Sequence, residues 1–544
     1  MTKQFVKRSD EFYRAQAADP SVFVRLLIAG GDSRIQLKPI SNLNGYGCRP
    51  LPRPNVLSFA SSTASSISER AYAAVEKAFR SLQSKNQFGD FESFVEKMRS
   101  KLKAVWGLRE ETDVIFAPSG TDAELRALFL AKCVLPSPVV SIVVGSDETG
   151  GGMPFAAAGR HFDSETAYKF QVVKGERIHG LAHDVDVRLI PTRAADGRAR
   201  PSQEVDWAVL ESVKAAVANG NSVILHVMTH SKLGTSAPTP ECVDRIREAW
   251  GGSIQIIDDA CQARVSRARI QSYLEQNRIV LITGSKFFTG PAFSGAVLLP
   301  AALSARAAAS GNMPIGLLKY TCASDWPRRF ERLRAMLPPI ANIGQALRWA
   351  AAIEEMESYF KVPVHFRSVA FREFSRFVTN CIGHRSNLWL LDKPCFCDDT
   401  DEEFSAQSIF PFLPLRHGQP CSLAEAKLLY RAMNEDLSAM MSASGSSQRR
   451  LLSQCCHVGQ PVEIPQCAGE NAGAMRVSAD ARLISESWFG GDEESAIARL
   501  RSNIAKLRIV FDKLQFLLDR LDELRNRELP GDPVFHEPYC STGS

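Results

Sequence analysis

A chain of 544 residues can hold two or three domains, and its 45% hydrophobic and 23% charged content is that of a soluble globular protein. A formal net charge of +5 without a long run of Lys and Arg speaks against nucleic-acid binding. Apolar runs such as Val139-Val140-Ser141-Ile142-Val143-Val144 are far too short to cross a bilayer, so no membrane association is expected. The opening segment carries acids and no apolar leader, and the thirteen scattered cysteines read as reduced thiols; a cytoplasmic protein is expected.

Residues 1–55 read as an irregular arm, with Ser41-Asn42-Leu43-Asn44-Gly45-Tyr46-Gly47 and Pro50, Pro52 and Pro54 marking turns. Around Ser68–Val75 and Phe91–Met98, apolar residues at three- and four-residue intervals predict two helices. From 112 to 300, apolar runs at 114–117, 139–145, 187–190, 222–228, 254–258, 279–283 and 293–299 alternate with helical stretches at 121–132, 204–218 and 239–249. This alternation predicts an α/β domain over 56–320 with a mostly parallel, seven-stranded sheet. A smaller α+β domain is expected over 321–528, with helical patterns at 339–358 and 495–526 and an acidic loop at 392–408. The stretch 529–544 reads as a loose tail.

Ligands of parallel sheets bind at the carboxyl ends of the strands. Three chemically suggestive groups fall there. Asp259 closes one apolar run, Lys286 follows another in Thr283-Gly284-Ser285-Lys286, and Ser119-Gly120-Thr121-Asp122 follows a third and opens a helix. A lysine that forms a Schiff base, a carboxylate that keeps a ring nitrogen protonated and a Gly/Thr turn that binds phosphate are what a pyridoxal 5′-phosphate site requires. Taken singly, each has a plainer role: Asp259 and Asp122 as helix caps, Lys286 as a surface lysine.

These motifs resemble those of pyridoxal-phosphate-dependent enzymes of fold type I, in particular the class V aminotransferase and cysteine desulfurase group, over about residues 56–300. Asp259-Ala260-Cys261-Gln262 resembles the group's Asp-x-x-Gln, and Thr283-Gly284-Ser285-Lys286 its Ser-x-His-Lys with Ser285 in place of histidine. Gly120-Thr121-Asp122 resembles its phosphate turn, and Ser231-Lys232-Leu233-Gly234 its Asn-x-x-Gly with Ser231 in place of asparagine. The resemblance implies Lys286 and Asp259 as catalytic residues, Gln262 and Ser231 beside the ring oxygen, and Gly120, Thr121, Asp122, Thr283 and Ser285 around the phosphate. Gly473-Ala474-Met475-Arg476 resembles the strand whose arginine holds a substrate carboxylate, a task suited to a guanidinium fork.

The family's ring-stacking histidine has no counterpart. Its segment corresponds to Gly145–Gly152, where Glu148 or Thr149 is the candidate and loop surface the alternative. A desulfurase would need a reactive cysteine, but Val458 stands at the family's nucleophile position, with Cys455, Cys456 and Cys467 as displaced candidates. Cys395-Phe396-Cys397 lacks a second ligand pair, so no metal is expected. The resemblance implies a small-molecule amino substrate, a homodimer and transamination by default. Elimination, decarboxylation and carbon–carbon bond formation stay open, as does a catalytically silent binding protein. The arm's Asn42–Tyr46 is expected to reach the site.

Overall fold

The computed structural model describes residues 20–83, 88–310, 312–392, 401–467, 469–489, 492–527 and 529. The Cys395 and Cys397 thiols and the tail beyond Leu529 lie outside these residues. In chain order the strands are β1 (Leu57–Phe59), β2 (Asp113–Ala117), β3 (Val139–Val144), β4 (Val185–Ile190), β5 (Ser222–Met228), β6 (Ile254–Ala260), β7 (Ile279–Thr283), β8 (Gly295–Leu299), β9 (Leu388–Leu390), β10 (Ile409–Arg416), β11 (Gln419–Pro420), β12 (Cys456–Ile464) and β13 (Ala472–Ser478).

The seven apolar runs between 112 and 300 are the strands of one sheet, in the order β2-β8-β7-β6-β5-β3-β4. Only β8 runs against the others. Strands rich in Val and Ile, such as β3 and β7, are buried at every position. That is the signature of a sheet covered on both faces by helices, and it explains why these runs read as continuous rather than alternating. Because the strands are parallel, the ends of β2, β3, β5, β6 and β7 share one edge.

The second sheet runs β1-β12-β13-β10-β11, with β9 also on β10. Its first strand comes from far upstream: Leu57–Phe59 pairs in parallel with Cys456–Val458. The chain between 57 and 68 therefore passes from the second sheet toward the edge of the first. Helix Ile343–Phe360 packs against Glu69–Gln83 and Pro20–Leu27 and binds the layers together.

Two expectations differ from the structure. The amphipathic stretch 495–526 is not one helix but three: Glu493–Ala505, Leu507–Asp519 and Leu521–Arg525. Apolar periodicity reports a buried face, which persists across short breaks in the helix axis. The arm is also less irregular than its composition suggests. Pro20–Leu27 is a helix that buries Val22, Phe23, Leu26 and Leu27. It opens on Pro20, whose missing N–H costs nothing there.

The arm is held by one buried guanidinium. Arg348 donates to Leu27 O (2.9 Å), Ala29 O (2.6 Å), Gly30 O (2.9 Å) and Phe293 O (2.7 Å). These carbonyls include helix-end acceptors that have no partner within the helix. Arg348→Met is expected to strand several of them and to lower unfolding stability by at least about 3 kcal/mol in urea titrations, with protease sensitivity appearing first near residue 30.

Candidate functional site

Lys286 follows β7 and Asp259 lies near the end of β6, on adjacent parallel strands. Lys286 is half-buried, and its Nζ donates to the backbone carbonyl of Thr63 and lies 5.6 Å from the centre of the Tyr46 ring. Burial, then the nearby Arg476 guanidinium, brings its ammonium down to about 8. A larger share of the neutral, nucleophilic form is therefore present near neutral pH than for a free lysine.

Asp259 is half-buried and forms no ion pair among the described residues; its Oδ1 accepts from Cys261 N (3.1 Å). Burial raises its carboxyl above the ordinary range, and the bond from Cys261 opposes this. Behind it lies a buried polar chain. His226 Nδ1 is 3.1 Å from Glu124 Oε1, and its Nε2 is 2.7 Å from Ser141 Oγ. His226 and Glu124 both act electrostatically on Asp259, in opposite directions.

The Gly/Thr turn is a capped helix start. Ser119 Oγ accepts from Asp122 N (3.2 Å), and Asp122 Oδ2 accepts from Ser119 N (3.1 Å) and Ser119 Oγ (2.5 Å). This capping box leaves the N–H groups of Gly120 and Thr121 without an acceptor among the described residues, at the positive end of the helix Gly120–Lys132. Burial pushes the Asp122 carboxyl up to about 6. Its carboxylate closes the cap, and its two neighbours carry the free N–H groups. Arg34, from the arm, pairs with Asp32 through Nε–Oδ1 (2.9 Å) and Nη2–Oδ2 (2.6 Å) and extends toward Ser119 Oγ (3.4 Å).

Thr283 and Ser285 are brought to this turn although β8 separates β2 from β7. A Cβ on Gly120 would lie 3.4 Å from Thr283 Cγ2 and 2.9 Å from Cys261 Sγ. Gly295, paired with Ala117 on one side and Thr283 on the other, makes the approach possible. A side chain there would meet Ser119 O at 2.4 Å. Gly295→Ala is expected to displace the turn, to cost about 1–3 kcal/mol in urea midpoint measurements, and to weaken phosphate binding more than Ala substitutions on the outer helices do. Thr283 Oγ1 donates to Cys261 O (2.7 Å), and Ser285 Oγ lies 3.5 Å from Thr283 Oγ1.

Arg476, on β13, is buried and faces the same edge. Its Nη1 donates to Lys232 O (3.0 Å), and its Nη2 to Thr63 Oγ1 (2.9 Å) and Gln460 O (2.6 Å). Its Nε is buried without an acceptor, and burial lowers its guanidinium to about 10. No carboxylate pairs with it among the described residues. Thr63 thus links Arg476 and Lys286, one through its hydroxyl and the other through its carbonyl.

The remaining sequence candidates have other partners. Gln262 Nε2 donates to Ser62 O (2.9 Å), and its Oε1 is buried without a donor. Ser231 Oγ donates to Glu148 Oε2 (2.6 Å) and accepts from Leu233 N and Thr235 N (2.9 Å each), so its hydroxyl builds a turn. Glu148 is not loop surface: its other oxygen accepts from Arg193 Nε (2.8 Å), and both side chains are buried. The carboxylate is therefore engaged on both oxygens.

The arm reaches the site through Tyr46, while Asn42 stays exposed. Side chains beside or on the second sheet grip the carbonyls around it. Gln460 Nε2 donates to Gly45 O (2.7 Å), Tyr430 OH to Tyr46 O (2.8 Å) and Asn434 Nδ2 to Gly47 O (2.8 Å). Gly47 has φ +70°, and a Cβ there would lie 2.4 Å from the Tyr430 hydroxyl. Thr63 and Arg34 carry no motif, and Lys232 stands at an unspecified position of the Ser231–Gly234 segment. The one visible signal was the small polar run Ser61–Ser66, which reads as a loop but is buried throughout.

A pyridoxal phosphate molecule suits this set of groups. Among the described residues the carboxylate of Asp259 has no cation and Lys286 no anion, the helix start offers free N–H groups beside two hydroxyls, and the buried Arg476 has no acid. Among the described residues no helix is long and apolar enough to cross a membrane. No family model and no curated protein matches the chain. Among solved structures it is similar to the cysteine desulfurase CsdA from Escherichia coli (13% identity, 85% of this chain and 95% of that chain covered, TM-score 0.48). It is also similar to mouse CSAD (14%, 92% and 97%, TM-score 0.48) and to a phosphoserine aminotransferase SerC from Cytophaga hutchinsonii (12%, 86% and 98%, TM-score 0.48). These likenesses are weak in both sequence and shape.

Proposed function

We propose that this chain is a pyridoxal-phosphate-dependent enzyme acting on the amino group of an amino acid or amino-bearing metabolite, with amino transfer as its reaction. The observation that carries the reading is the placement of Asp259 and Lys286 at the ends of neighbouring parallel strands, each without an ion pair among the described residues. When bound, the cofactor supplies a sink for the electron pair released at the substrate carbon next to the amine. Lys286 in its neutral form is the nucleophile that holds the cofactor's aldehyde carbon. As a free amine it would carry a proton to or from that substrate carbon. Asp259 holds the proton of the ring nitrogen by charge pairing in a site partly shielded from water.

The Gly120 and Thr121 N–H groups and the Thr283 and Ser285 hydroxyls bind the phosphate. Arg476 exchanges weak carbonyl partners for the substrate's carboxylate, where a guanidinium gains charge-assisted bonds. Tyr46 covers Lys286 and limits water at the reacting atoms. Decarboxylation and elimination would use the same residues.

A persulfide-forming desulfurase has less support. Val458 is buried in β12, and burial pushes the Cys456 thiol up to about 12, away from the reactive thiolate. The assembly consistent with this reading is a homodimer, checked by sedimentation. The direct test adds pyridoxal phosphate to cofactor-free protein and follows visible absorbance, then screens amine donors for a change in that band. Absence of binding to well-folded protein would sink the proposal.

A further inference from the structure

We propose that Lys232 is the receptor for a second acidic group on the substrate, so that the preferred substrate is an amino compound carrying two anions, one held by Arg476 and the other by Lys232. The inference rests on the reading of this site as one for an amino substrate, and it adds the substrate's chemical class.

The backbone of Lys232 is fixed on both sides. Its N–H donates to Glu148 O (3.2 Å), its carbonyl accepts from Arg476 Nη1 (3.0 Å), and the turn around it is closed by Ser231 N to Thr235 O (2.7 Å). The residue is half-buried, and among the described residues its ammonium has no hydrogen bond and no ion pair. Glu148, whose backbone carbonyl accepts from Lys232 N, has one carboxylate oxygen on Arg193 and the other on Ser231.

The charges around it do not balance. Lys232, Lys286 and Arg476 are close enough to disfavour one another's charge, while Arg34 is already neutralised by Asp32. Among the described residues Asp259 forms no ion pair, and in the proposed reading the cofactor's ring nitrogen would take it. Burial, then Arg476 and Lys286, lowers the Lys232 ammonium to about 7. An enclosed excess of cations is unfavourable in the free protein and is relieved by anions. A single carboxylate on Arg476 leaves Lys232 unanswered. A second acid on the same molecule would answer it, and the fixed backbone would hold the lysine beside Arg476 at no further ordering cost to the main chain.

The test uses probes that carry no amine and therefore cannot react. Protein loaded with pyridoxal phosphate is titrated calorimetrically with succinate and glutarate and with the monoacid butyrate. The better diacid is expected to bind about ten-fold more tightly than butyrate. Lys232→Met should bring that ratio close to one by weakening diacid binding far more than butyrate binding, whereas Lys232→Arg should keep most of the ratio. Replacing succinate by 3-sulfopropionate or 3-phosphonopropionate then sorts the second acid into carboxylate, sulfonate or phosphate. Equal affinities for diacid and monoacid in the parent protein, or a ratio unmoved by Lys232→Met, would overturn the proposal. Failure to take up pyridoxal phosphate would instead overturn the functional reading, and the same titrations on unloaded protein would then decide the role of Lys232 separately.

Discussion

Lys286→Ala is expected to abolish covalent attachment of pyridoxal phosphate and to lower kcat by on the order of ten-thousand-fold. The variant loses the strand-end amine that contacts Thr63 O and Tyr46, while the proposed phosphate donors and Asp259 stay in place. Pyridoxal phosphate should therefore still bind, but borohydride should no longer fix it to the protein. The pH dependence carries an independent signature. The nucleophile is the unprotonated amine, and its proton is held with a pKa of about 8 because the ammonium is enclosed and faces Arg476. Trapping by borohydride should therefore rise with pH through about 8, well below the range of a free lysine. A midpoint near that of free lysine, or trapping in Lys286→Ala equal to the parent, would assign the chemistry elsewhere. Arg476→Met should move the midpoint upward, since it removes a neighbouring positive charge that now favours the neutral amine.

Asp259→Ala is expected to reduce kcat by roughly a hundred- to ten-thousand-fold while preserving the covalent link at Lys286. The effect is electrostatic. In a half-buried position a single carboxylate beside the ring nitrogen would stabilise the proton that makes the ring an electron acceptor. Burial makes this carboxylate costly to ionise, and a cationic ring nitrogen would reverse that cost. A cofactor analogue methylated at the ring nitrogen carries a permanent positive charge and should restore part of the activity of Asp259→Ala. A variant that was merely misfolded would gain nothing from the analogue. Equal activity of Asp259→Ala and the parent would remove the carboxylate from the mechanism. Glu124 and His226 stand behind Asp259 and bias it in opposite senses, so their substitution should change the pH profile more than the maximal rate.

Much of the large sheet was legible because its cause is local. Val- and Ile-rich segments bounded by turns form strands wherever both faces will be covered, and seven such segments separated by helical stretches leave few arrangements other than a mostly parallel sheet. The positions of Asp259, Lys286 and the 119–122 turn at strand ends followed from the same pattern. The long amphipathic stretch near the end reads as one helix because periodicity records which face is buried and is blind to the interruptions at Lys506 and Arg520. Pro20–Leu27 was missed because eight residues are too few for composition to outweigh the turn-rich sequence that follows.

By itself the sequence determined the strand pattern, the chemistry at the strand ends and the residue types a phosphate or a carboxylate would need, since each depends on neighbours only a few residues away. Only the tertiary structure decided how those groups are completed. It brought Tyr46 and Arg34 from the arm, Thr63 from the passage between sheets, and Arg476 from the second sheet to one edge, and it engaged Glu148 with Arg193 and Ser231 while leaving Lys232 without an anion. Those contacts join residues separated by up to hundreds of positions. Their existence depends on which surfaces pack together and on places such as Gly295 and Gly47, where the lack of a side chain lets neighbouring groups come close.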